Sequence, residues 1–248
     1  WSTGGGPRDR HHAHARLTER QVYSGPMNNE PANGGESGPS DELAGEIDER
    51  AADGRMPGRR GLATRQRLLD ATAEQLESCG YRDLKVVDIA RTAGTSPATF
   101  YQYFPDAESA VLVQAAVLTE AWHEELQFLI TGRDWSGDPD AAAHEVVDGF
   151  LTFWTDHRAI LKVLDLASME GDFRFRDLRT WLLNGATNAL VDLVAAHDSD
   201  MDPKATAGVV IAMLAHVANH RPGLERWGAD HDALVATVAG ILRHAIVG

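Results

Sequence analysis

Several features that mark membrane, secreted or catalytic proteins are missing from this 248-residue chain. Its single cysteine, Cys79, excludes an internal disulfide and is typical of a reducing cytoplasm. No apolar run approaches the roughly 18 residues that a membrane-spanning helix needs. No Ser/His/Asp order, glycine-rich phosphate loop or metal-binding cluster of adequate spacing is present. The sequence therefore predicts a cytoplasmic protein that is not an enzyme and that binds no cofactor, metal or membrane.

Basic residues are also scarce, with 23 against 37 acidic residues and a net charge of −14. A chain with this balance suits DNA only if its positive charge is concentrated, because phosphate binding depends on local charge. Residues 55–107 carry a net charge of +2, whereas residues 1–54 carry −5 and residues 108–248 carry −11. The distribution therefore predicts a DNA-facing segment attached to an acidic body.

Branched apolar residues are few in residues 1–58, which contain half of the 10 prolines. A segment of this composition buries too little apolar surface to fold, so we predict a disordered N-terminal extension. Three of its histidines could bind a metal, although a solvated run without function is the stronger interpretation. They are His11, His12 and His14.

Two short helices joined by a tight turn are predicted between Val86 and Phe104. The first has apolar or small residues on one face, and Gly94 directly after it can adopt the left-handed conformation that ends a helix. Ser96 can cap the second helix, with Pro97 in its first turn. A helix–turn–helix of this kind presents its second helix to the major groove of DNA, whereas the pattern alone equally allows an ordinary corner in a helical bundle.

The second helix of this pair separates an apolar side from a polar side. Phe100 and Phe104 lie four residues apart on the side that we expect to be buried. The candidates for contacts with base edges are Thr99, Gln102 and Tyr103. Residues 59–67 are predicted to be a basic arm before a first helix of about residues 63–79, with a solubilising helix start as the alternative. The other DNA-contact candidates are Arg59, Arg60, Thr64, Ser96, Pro97 and Tyr101.

A set of residues between Gly61 and Val111 follows a familiar spacing without a gap. It consists of Gly80-Tyr81, Val86, Asp88-Ile89-Ala90, Ala93-Gly94, Ser96, Thr99, Tyr101, Tyr103-Phe104-Pro105 and Glu108. In these residues the chain resembles the N-terminal signature of the tetracycline-repressor (TetR) family of bacterial regulators. Lys85 departs from it by replacing the usual Ser or Thr cap, so we expect Asp83 to cap that helix. Thr95 replaces a valine, and Ala107 replaces a lysine that in the family commonly touches a phosphate.

The resemblance implies an all-α fold. It implies an N-terminal three-helix helix–turn–helix DNA-binding domain over residues 59–105, followed by a C-terminal helical ligand-binding and dimerisation domain over residues 106–248. The apolar periodicity of the second part predicts helices throughout. Their expected ranges are about 106–130, 140–157, 159–169, 173–197, 203–220 and 230–247.

Aromatic residues recur on the long helices that surround a pocket in this family. A mostly apolar cavity with a few polar groups is the usual ligand site, although aromatic residues at helical spacing are more often plain core. We therefore expect a small, largely apolar effector. The ligand-binding candidates are Trp122, His144, Phe150, Trp154, Trp181, Asn184 and Asn188.

Small residues form a stripe on the penultimate helix, and an apolar ridge follows on the last one. Stripes of this kind let helices approach closely. The resemblance implies a homodimer through these two helices, with an intramolecular core as the alternative. The positions are Ala205, Gly208, Ala212, Ala215 and Asn219, then Leu234, Val238, Ile241 and Ala245.

Two histidines of the penultimate helix, His216 and His220, have a spacing that can hold a metal. The sequence offers no third ligand, so a packed or interfacial pair is the favoured interpretation.

Together these features predict a ligand-responsive transcriptional regulator, more often a repressor than an activator. We expect it to bind an inverted-repeat operator in double-stranded DNA as a homodimer and to be altered by a small-molecule effector. The alternative is a helical ligand- or partner-binding protein of the same fold that has lost DNA binding. Lys85, Ala107 and the acidic total favour that alternative.

Overall fold

Every regular element in residues 56–197 and 200–248, the residues that the computed structural model describes, is an α-helix or a 3-10 turn. The prediction of an all-α fold is confirmed. Within these residues no helix is both long and apolar enough to cross a membrane. The predictions for residues 1–55, including the extension and its histidines, lie outside the described residues.

The N-terminal elements, called the head below, are three helices and one 3-10 turn. Their bounds are α1 Arg59–Ser78, the turn Tyr81–Asp83, α2 Val86–Thr92 and α3 Pro97–Phe100. Their buried apolar side chains form a small core of their own. Eight of its members come from the head, namely Leu68, Leu69, Ala71, Ile89, Ala90, Ala93, Phe100 and Phe104.

Six further helices form the body. They are α4 Ala107–Thr131, α5 Pro139–Asp156, α6 Arg158–Met169, α7 Phe173–Ala196, α8 Pro203–Trp227 and α9 His231–Val247. α4 packs mainly against α7, α5 against α9, and α7 against α8. Their apolar faces enclose a second, larger core that also includes Leu76 of α1.

Five body helices begin with an aspartate whose carboxylate accepts a backbone N–H of the first turn. This cap satisfies a donor that has no partner within the helix and places negative charge near the helix N-terminus. It is also why the sequence predicted these starts to within one residue. The caps are Asp106 (α4, 2.7 Å), Asp138 (α5, 2.9 Å), Asp172 (α7, 3.0 Å), Asp202 (α8, 2.7 Å) and Asp230 (α9, 2.8 Å).

The start of α4 belongs to both cores. Ala110 and Val113 pack into the head core, whereas Val111 and Leu112 pack into the body core. Since the two pairs share a single turn of one rigid helix, a rotation or shift of α4 moves buried contacts on both sides at once.

The expected basic arm is wrong as an arm, because residues 59–67 form the first turns of α1. Gly58 is the extended N-cap, and the amide of Leu62 donates to its carbonyl at 3.0 Å. Arg, Leu, Ala and Gln are good helix formers, so these residues continue the helix toward the N-terminus.

Two other expectations at helix ends are wrong. α2 has Lys85 at its N-cap and no side-chain cap, because Asp83 lies in the preceding 3-10 turn. α8 runs through Pro222 to Trp227, beyond the end expected near residue 220. Its stop is Gly228, which has a left-handed φ of 110°. A proline in mid-helix removes one backbone donor, and the continuing packing of α8 outweighs that loss.

Trp135 was not predicted to have a structural role. It lies in the loop between α4 and α5, is buried, and its Nε1 donates to the carbonyl of Ile130 at 3.0 Å. It therefore anchors the loop on the end of α4.

Candidate DNA-binding site, its junction with the body and the outer face of α8 and α9

The turn between α2 and α3 has the geometry that its sequence predicts. Gly94 has a left-handed φ of 65°, and its amide donates to the carbonyl of Arg91 at 3.1 Å. The amide of Thr95 donates to the carbonyl of Ala90 at 2.9 Å. This pair of bonds satisfies the last carbonyls of α2 and turns the chain sharply.

α3 is capped and oriented as expected. Ser96 Oγ accepts the amide of Thr99 at 3.2 Å, with Pro97 in the first turn. The backbone then tightens, since the amides of Tyr103 and Phe104 both donate to the carbonyl of Phe100, at 2.9 and 3.0 Å. Phe100 and Phe104 are buried at 0% and 2% exposure, as their spacing predicted. Their burial fixes which side of α3 faces outward.

The outward side of α3 contains most of the predicted DNA contacts. Ser96, Pro97 and Gln102 are exposed, and Tyr101 is 52% exposed with its ring edge-on to Phe100. An amide, a phenol and a hydroxyl on one surface form a polar edge that can donate to and accept from bases and phosphates.

Two of the three candidates for base contacts are only partly available. Thr99 is half-buried, and its Oγ1 lies 3.0 Å from Ser96 Oγ. Tyr103 is half-buried, with its hydroxyl 3.3 Å from where a Cβ on Gly61 of α1 would lie. Gln102 is therefore the base-edge candidate with an exposed and uncommitted side chain.

The start of α1 supplies positive charge beside α3. Arg59 and Arg60 are exposed in its first turn. Thr64 Oγ1 donates to the carbonyl of Arg60 at 3.0 Å and accepts from Arg67 Nη2 at 3.2 Å. Arg65, expected among the phosphate-facing arginines, is instead buried, with its guanidinium 5.3 Å from the centre of the Phe104 ring. It packs as a cation over an aromatic face, because the helical phase turns it inward.

Charged side chains join the head to the body at the start of α4. Arg174 of α7 donates through Nη2 to Glu108 at 2.6 Å and to Asp172 at 2.6 Å. Arg82 of the 3-10 turn pairs with Glu170 in the loop between α6 and α7. Sequence reasoning missed this junction, because its members lie more than sixty residues apart in the chain and show no local pattern.

Aromatic contact and shared protons complete the junction. The ring of Tyr81 lies edge-on to Phe175, with centroids 6.3 Å apart. Burial raises the pKa of the Tyr81 hydroxyl well above its usual range, and the carboxylate of Glu108 adds to that effect. The side-chain hydrogen bond from Arg174 lowers the pKa of the Asp172 carboxyl. A neutral phenol and an ionised carboxylate therefore hold this contact near neutral pH.

A surface cleft of about 370 Å³ opens at the same junction. It lies where the 3-10 turn of the head meets the start of α4. Its lining residues are Tyr81, Arg82, Leu84, Asp106, Ala107 and Glu108.

The seven ligand-binding candidates do not form one group. Trp122 stacks on His157 with centroids 3.8 Å apart, and Phe150 stacks on Trp154 at 5.4 Å. His144 and Asn188 are exposed, and Asn184 is half-buried.

Trp181 belongs to a third group. It stacks on His123 with centroids 4.2 Å apart, and its Nε1 donates to Glu120 Oε2 at 3.0 Å. His123 was not predicted. It is buried, its Nδ1 lies 2.8 Å from the carbonyl of Trp181, and Gly185 leaves room for its ring.

A polar chain crosses four body helices. Trp154 Nε1 of α5 donates to Asn219 Oδ1 of α8 at 3.0 Å, and Asn219 donates in turn to Asp165 of α6. Arg179 of α7 donates to the same carboxylate at 2.5 Å. The assignment of Asn219 to an outward stripe is therefore wrong, because a buried indole N–H needs this acceptor.

The outer side of α8 and α9 is exposed and uncharged, and is called the uncharged face below. Between Ala205 and His220 α8 contains no Asp, Glu, Lys or Arg, and neither does α9 between Ala233 and Leu242. Val209 is 68% and Ile241 is 50% exposed. Ala215 and Val238 were expected in the outward stripe but are buried. The exposed positions are Ala205, Gly208, Val209, Ala212, His216, His220, Ala233, Ala236, Thr237, Gly240 and Ile241.

Two family models match the chain. Residues 68–109 match the model described as bacterial regulatory proteins, tetR family. Residues 126–248 match the model described as tetracyclin repressor-like, C-terminal domain. The chain belongs to the TetR family. It is therefore a TetR-family transcriptional regulator.

The TetR-family assignment agrees with individual relatives. The chain is 25% identical over 195 residues to the HTH-type transcriptional regulator EthR of Mycolicibacterium smegmatis, which covers 75% of this chain and 84% of that protein. A solved protein of unknown function from Rhodococcus sp. RHA1 has the same fold, with a TM-score of 0.59, 20% identity, and coverage of 75% of this chain and 96% of that one.

A third relative is the transcriptional regulator FadR from Bacillus subtilis, solved in complex with stearoyl-CoA. It has a TM-score of 0.56 and 17% identity, and the match covers 73% of this chain and 98% of that chain. At this identity the likeness establishes a common fold.

Proposed function

We propose that this TetR-family protein is a repressor that binds an inverted-repeat operator as a homodimer and is altered by a small, largely apolar effector. The observation that carries the DNA-binding part is the outward side of α3, where Gln102, Tyr101 and Ser96 are exposed while Phe100 anchors the helix from behind. Arg59 and Arg60 add exposed positive charge in the same domain.

A homodimer explains how so short a recognition element becomes specific. One α3 reads only a few base pairs, whereas two copies related by a twofold axis bind two half-sites and gain effective concentration. The uncharged face supports this step, because an exposed apolar face on a chain of net charge −14 marks a protein partner rather than solvent or DNA.

Gly208 and Gly240 fit the same interpretation. A Cβ on either glycine would meet no heavy atom of its own chain within 4 Å. Glycine in mid-helix is destabilising by roughly 0.5–1 kcal/mol relative to alanine. The close approach of a second copy gives that cost a purpose.

Control by an effector requires a mechanical link between body and head. α4 provides one, because Ala110 and Val113 belong to the head core and Val111 and Leu112 to the body core. Arg174 provides a second link through Glu108. A coupling of about 1–3 kcal/mol through these contacts would change operator affinity roughly 5- to 150-fold.

Selection of bound fragments from random duplexes tests the proposal. The full chain should enrich an inverted repeat whose half-sites are about one helical turn apart. Enrichment of a single, unrepeated site contradicts the dimeric reading, and no enrichment at low salt contradicts DNA binding. The effector is then sought by adding fatty acids, acyl-CoA thioesters and neutral apolar compounds to the bound operator.

Two substitutions on α3 separate base reading from phosphate binding. Gln102→Ala should relax sequence preference, since an amide is a bidentate partner for adenine. Tyr101→Phe keeps the ring on Phe100 and removes a hydroxyl, so it should weaken binding about equally on all sequences. Gln66→Ala, the same truncation on α1, is the control and should leave preference unchanged. An unaltered preference in Gln102→Ala contradicts the base-reading assignment.

A second function stays open for a specific reason. Lys85 leaves α2 without a side-chain cap, and Ala107 offers no charge to a phosphate. If gel shifts on upstream DNA are negative at both low and moderate salt while the body still binds a ligand, the protein is a ligand- or partner-binding relative of the DNA-binding members.

A further inference from the structure

Two imidazole rings lie side by side on the outer surface of α8. His216 and His220 are one turn apart, both exposed, with ring centroids 4.1 Å apart and planes at 25°. Residues at i and i+4 project from the same face of a helix. Both rings therefore face whatever covers the uncharged face.

One of the rings is already oriented as in a metal site. His220 Nδ1 lies 3.0 Å from the backbone carbonyl of His216. Since a carbonyl only accepts, this nitrogen carries the hydrogen in the neutral ring and leaves Nε2 with its lone pair directed outward. Histidines that bind metals are held in this way by a carbonyl or carboxylate on the other nitrogen.

The pair is incomplete within one chain. In the described part of the chain no group of three or more His, Cys, Asp or Glu side chains could hold a metal ion. A tetrahedral ion needs four ligands, and two imidazoles supply half of them. A second copy of the same pair supplies the other half.

The position of the pair favours such a meeting. His216 lies near the middle of α8, which spans residues 203–227. When two identical faces pair about a twofold axis, residues near the axis approach their own copies. Small neighbours allow that approach, because Ala212 has only a methyl group and a Cβ on Gly223 would meet nothing of its own chain within 4 Å.

Nearby charge does not oppose a cation. α8 has no charged side chain from Ala205 to His220. The next residue, Arg221, is paired with Glu225 at 2.7 Å. The local field therefore leaves the neutral imidazoles free to bind a divalent ion.

We propose that His216 and His220 of two copies together bind one divalent transition-metal ion of the zinc class at the dimer axis. Imidazole nitrogen suits Zn²⁺, Ni²⁺ and Cu²⁺ and gives little affinity for Mg²⁺ or Ca²⁺. The ion strengthens the dimer that the uncharged face forms. This inference rests on the dimerisation that is part of the proposed function.

Zinc titration of the full chain tests the site. His11, His12 and His14 are first replaced by alanine in every sample, because these N-terminal histidines could bind zinc themselves. In this background calorimetry should give one Zn²⁺ per two chains. The double variant His216→Ala/His220→Ala should weaken zinc binding by about tenfold or more, which corresponds to about 1.4 kcal/mol. Unchanged binding in that variant overturns the site, and one Zn²⁺ per chain overturns its sharing between copies.

A matched control removes two histidines that are not neighbours. His144→Ala/His197→Ala should leave zinc binding and its stoichiometry unchanged. A loss equal to that of the His216/His220 variant would mean that binding follows total histidine content, and would overturn the assignment.

Sedimentation in EDTA separates this inference from the dimer itself. A dimer in EDTA that zinc tightens about tenfold supports both proposals. A dimer in EDTA that zinc leaves unchanged overturns the metal site alone. Monomers in EDTA and in zinc overturn both, whereas monomers in EDTA that become dimers with zinc support the site and make the metal necessary for dimerisation.

Discussion

The head and the outer face of α8 and α9 meet their partners with opposite surfaces. The head buries its phenylalanines and exposes amide, phenol and guanidinium groups. The uncharged face exposes Val209 and Ile241 instead and has no charge along α8 from residue 205 to residue 220. The contrast teaches that a total charge of −14 says little about partners, because each surface is composed for its own.

The two regions also differ in how much core supports them. Among the described residues the head core has 10 buried apolar members, two of them from α4, whereas the body core has 40. A single large side chain is therefore a far greater share of the head core than of the body core. Substitutions should consequently separate the two regions.

The largest expected effect is local to the head. Phe100→Ala removes a fully buried ring from a small core and should lower the free energy of unfolding of the head by about 3–5 kcal/mol. Hydrogen exchange should show α1 to α3 opening while α5 to α9 remain protected and the chain stays dimeric. Phe128→Ala, at a position that is 64% exposed, is the control and should change stability by less than about 0.5 kcal/mol. Equal opening of the body would contradict two separable cores.

The reverse experiment breaks the dimer and leaves the head intact. Ile241→Glu puts a charge on the uncharged face and should raise the dimer dissociation constant by about 100-fold, equivalent to roughly 2.7 kcal/mol. Sedimentation measures the change, and circular dichroism should show unchanged helix content. Phe128→Glu puts the same charge at an exposed apolar position of α4. If Phe128→Glu dissociates the dimer and Ile241→Glu does not, the interface lies on α4.

The junction between the regions is expected to have an intermediate effect. Arg174→Ala removes the guanidinium that both Glu108 and Asp172 use, and Arg174 and Asp172 are at most about a quarter exposed. The free energy of unfolding should fall by about 1–3 kcal/mol, and effector should release operator less completely. Arg176→Ala is the neighbouring control, since Arg176 is 64% exposed and lies 4.0 Å from Asp177. It should cost less than about 0.5 kcal/mol. Similar losses in both variants would mean that the junction contributes no more than a surface pair.

The smallest effect depends on pH. The folded protein lowers the pKa of Asp172, so the carboxylate contributes stability above its unfolded pKa, and that contribution is lost as pH falls through the folded pKa. Asp172→Asn keeps an N-cap and removes the charge. The variant should be less stable than wild type by up to about 1 kcal/mol at pH 6–7, and urea unfolding should show the difference shrinking below about pH 4. A difference independent of pH would assign the effect to packing.

Local signals made much of the fold predictable. The aspartate caps, Gly94 and Ser96 act on backbone groups within four residues, so the sequence alone contains both partners of each bond. The burial of Phe100 and Phe104 followed from a period of four. The predicted arm was wrong because helix formers before α1 extend a helix whenever the body holds its other end.

Side-chain partners across helices were not predictable. Trp181 and Trp154 were chosen as ligand contacts, yet their indole nitrogens donate to Glu120 and Asn219, which lie 61 and 65 residues away. Tyr103 and Arg65 were placed on the DNA side, and packing of α1 against α3 turns both inward. Nothing in the neighbouring residues encodes such pairings.

The sequence by itself determined the helical class, the capped turn from Gly94 to Pro97 and the inward side of α3, because each depends on near neighbours and on periodicity. Only the tertiary structure decided that Arg174 ties the body to Glu108, that Asn219 points inward, and that His216 and His220 remain outside. Those outcomes depend on how helices distant in the chain pack, and packing selects among faces that the sequence leaves equally possible.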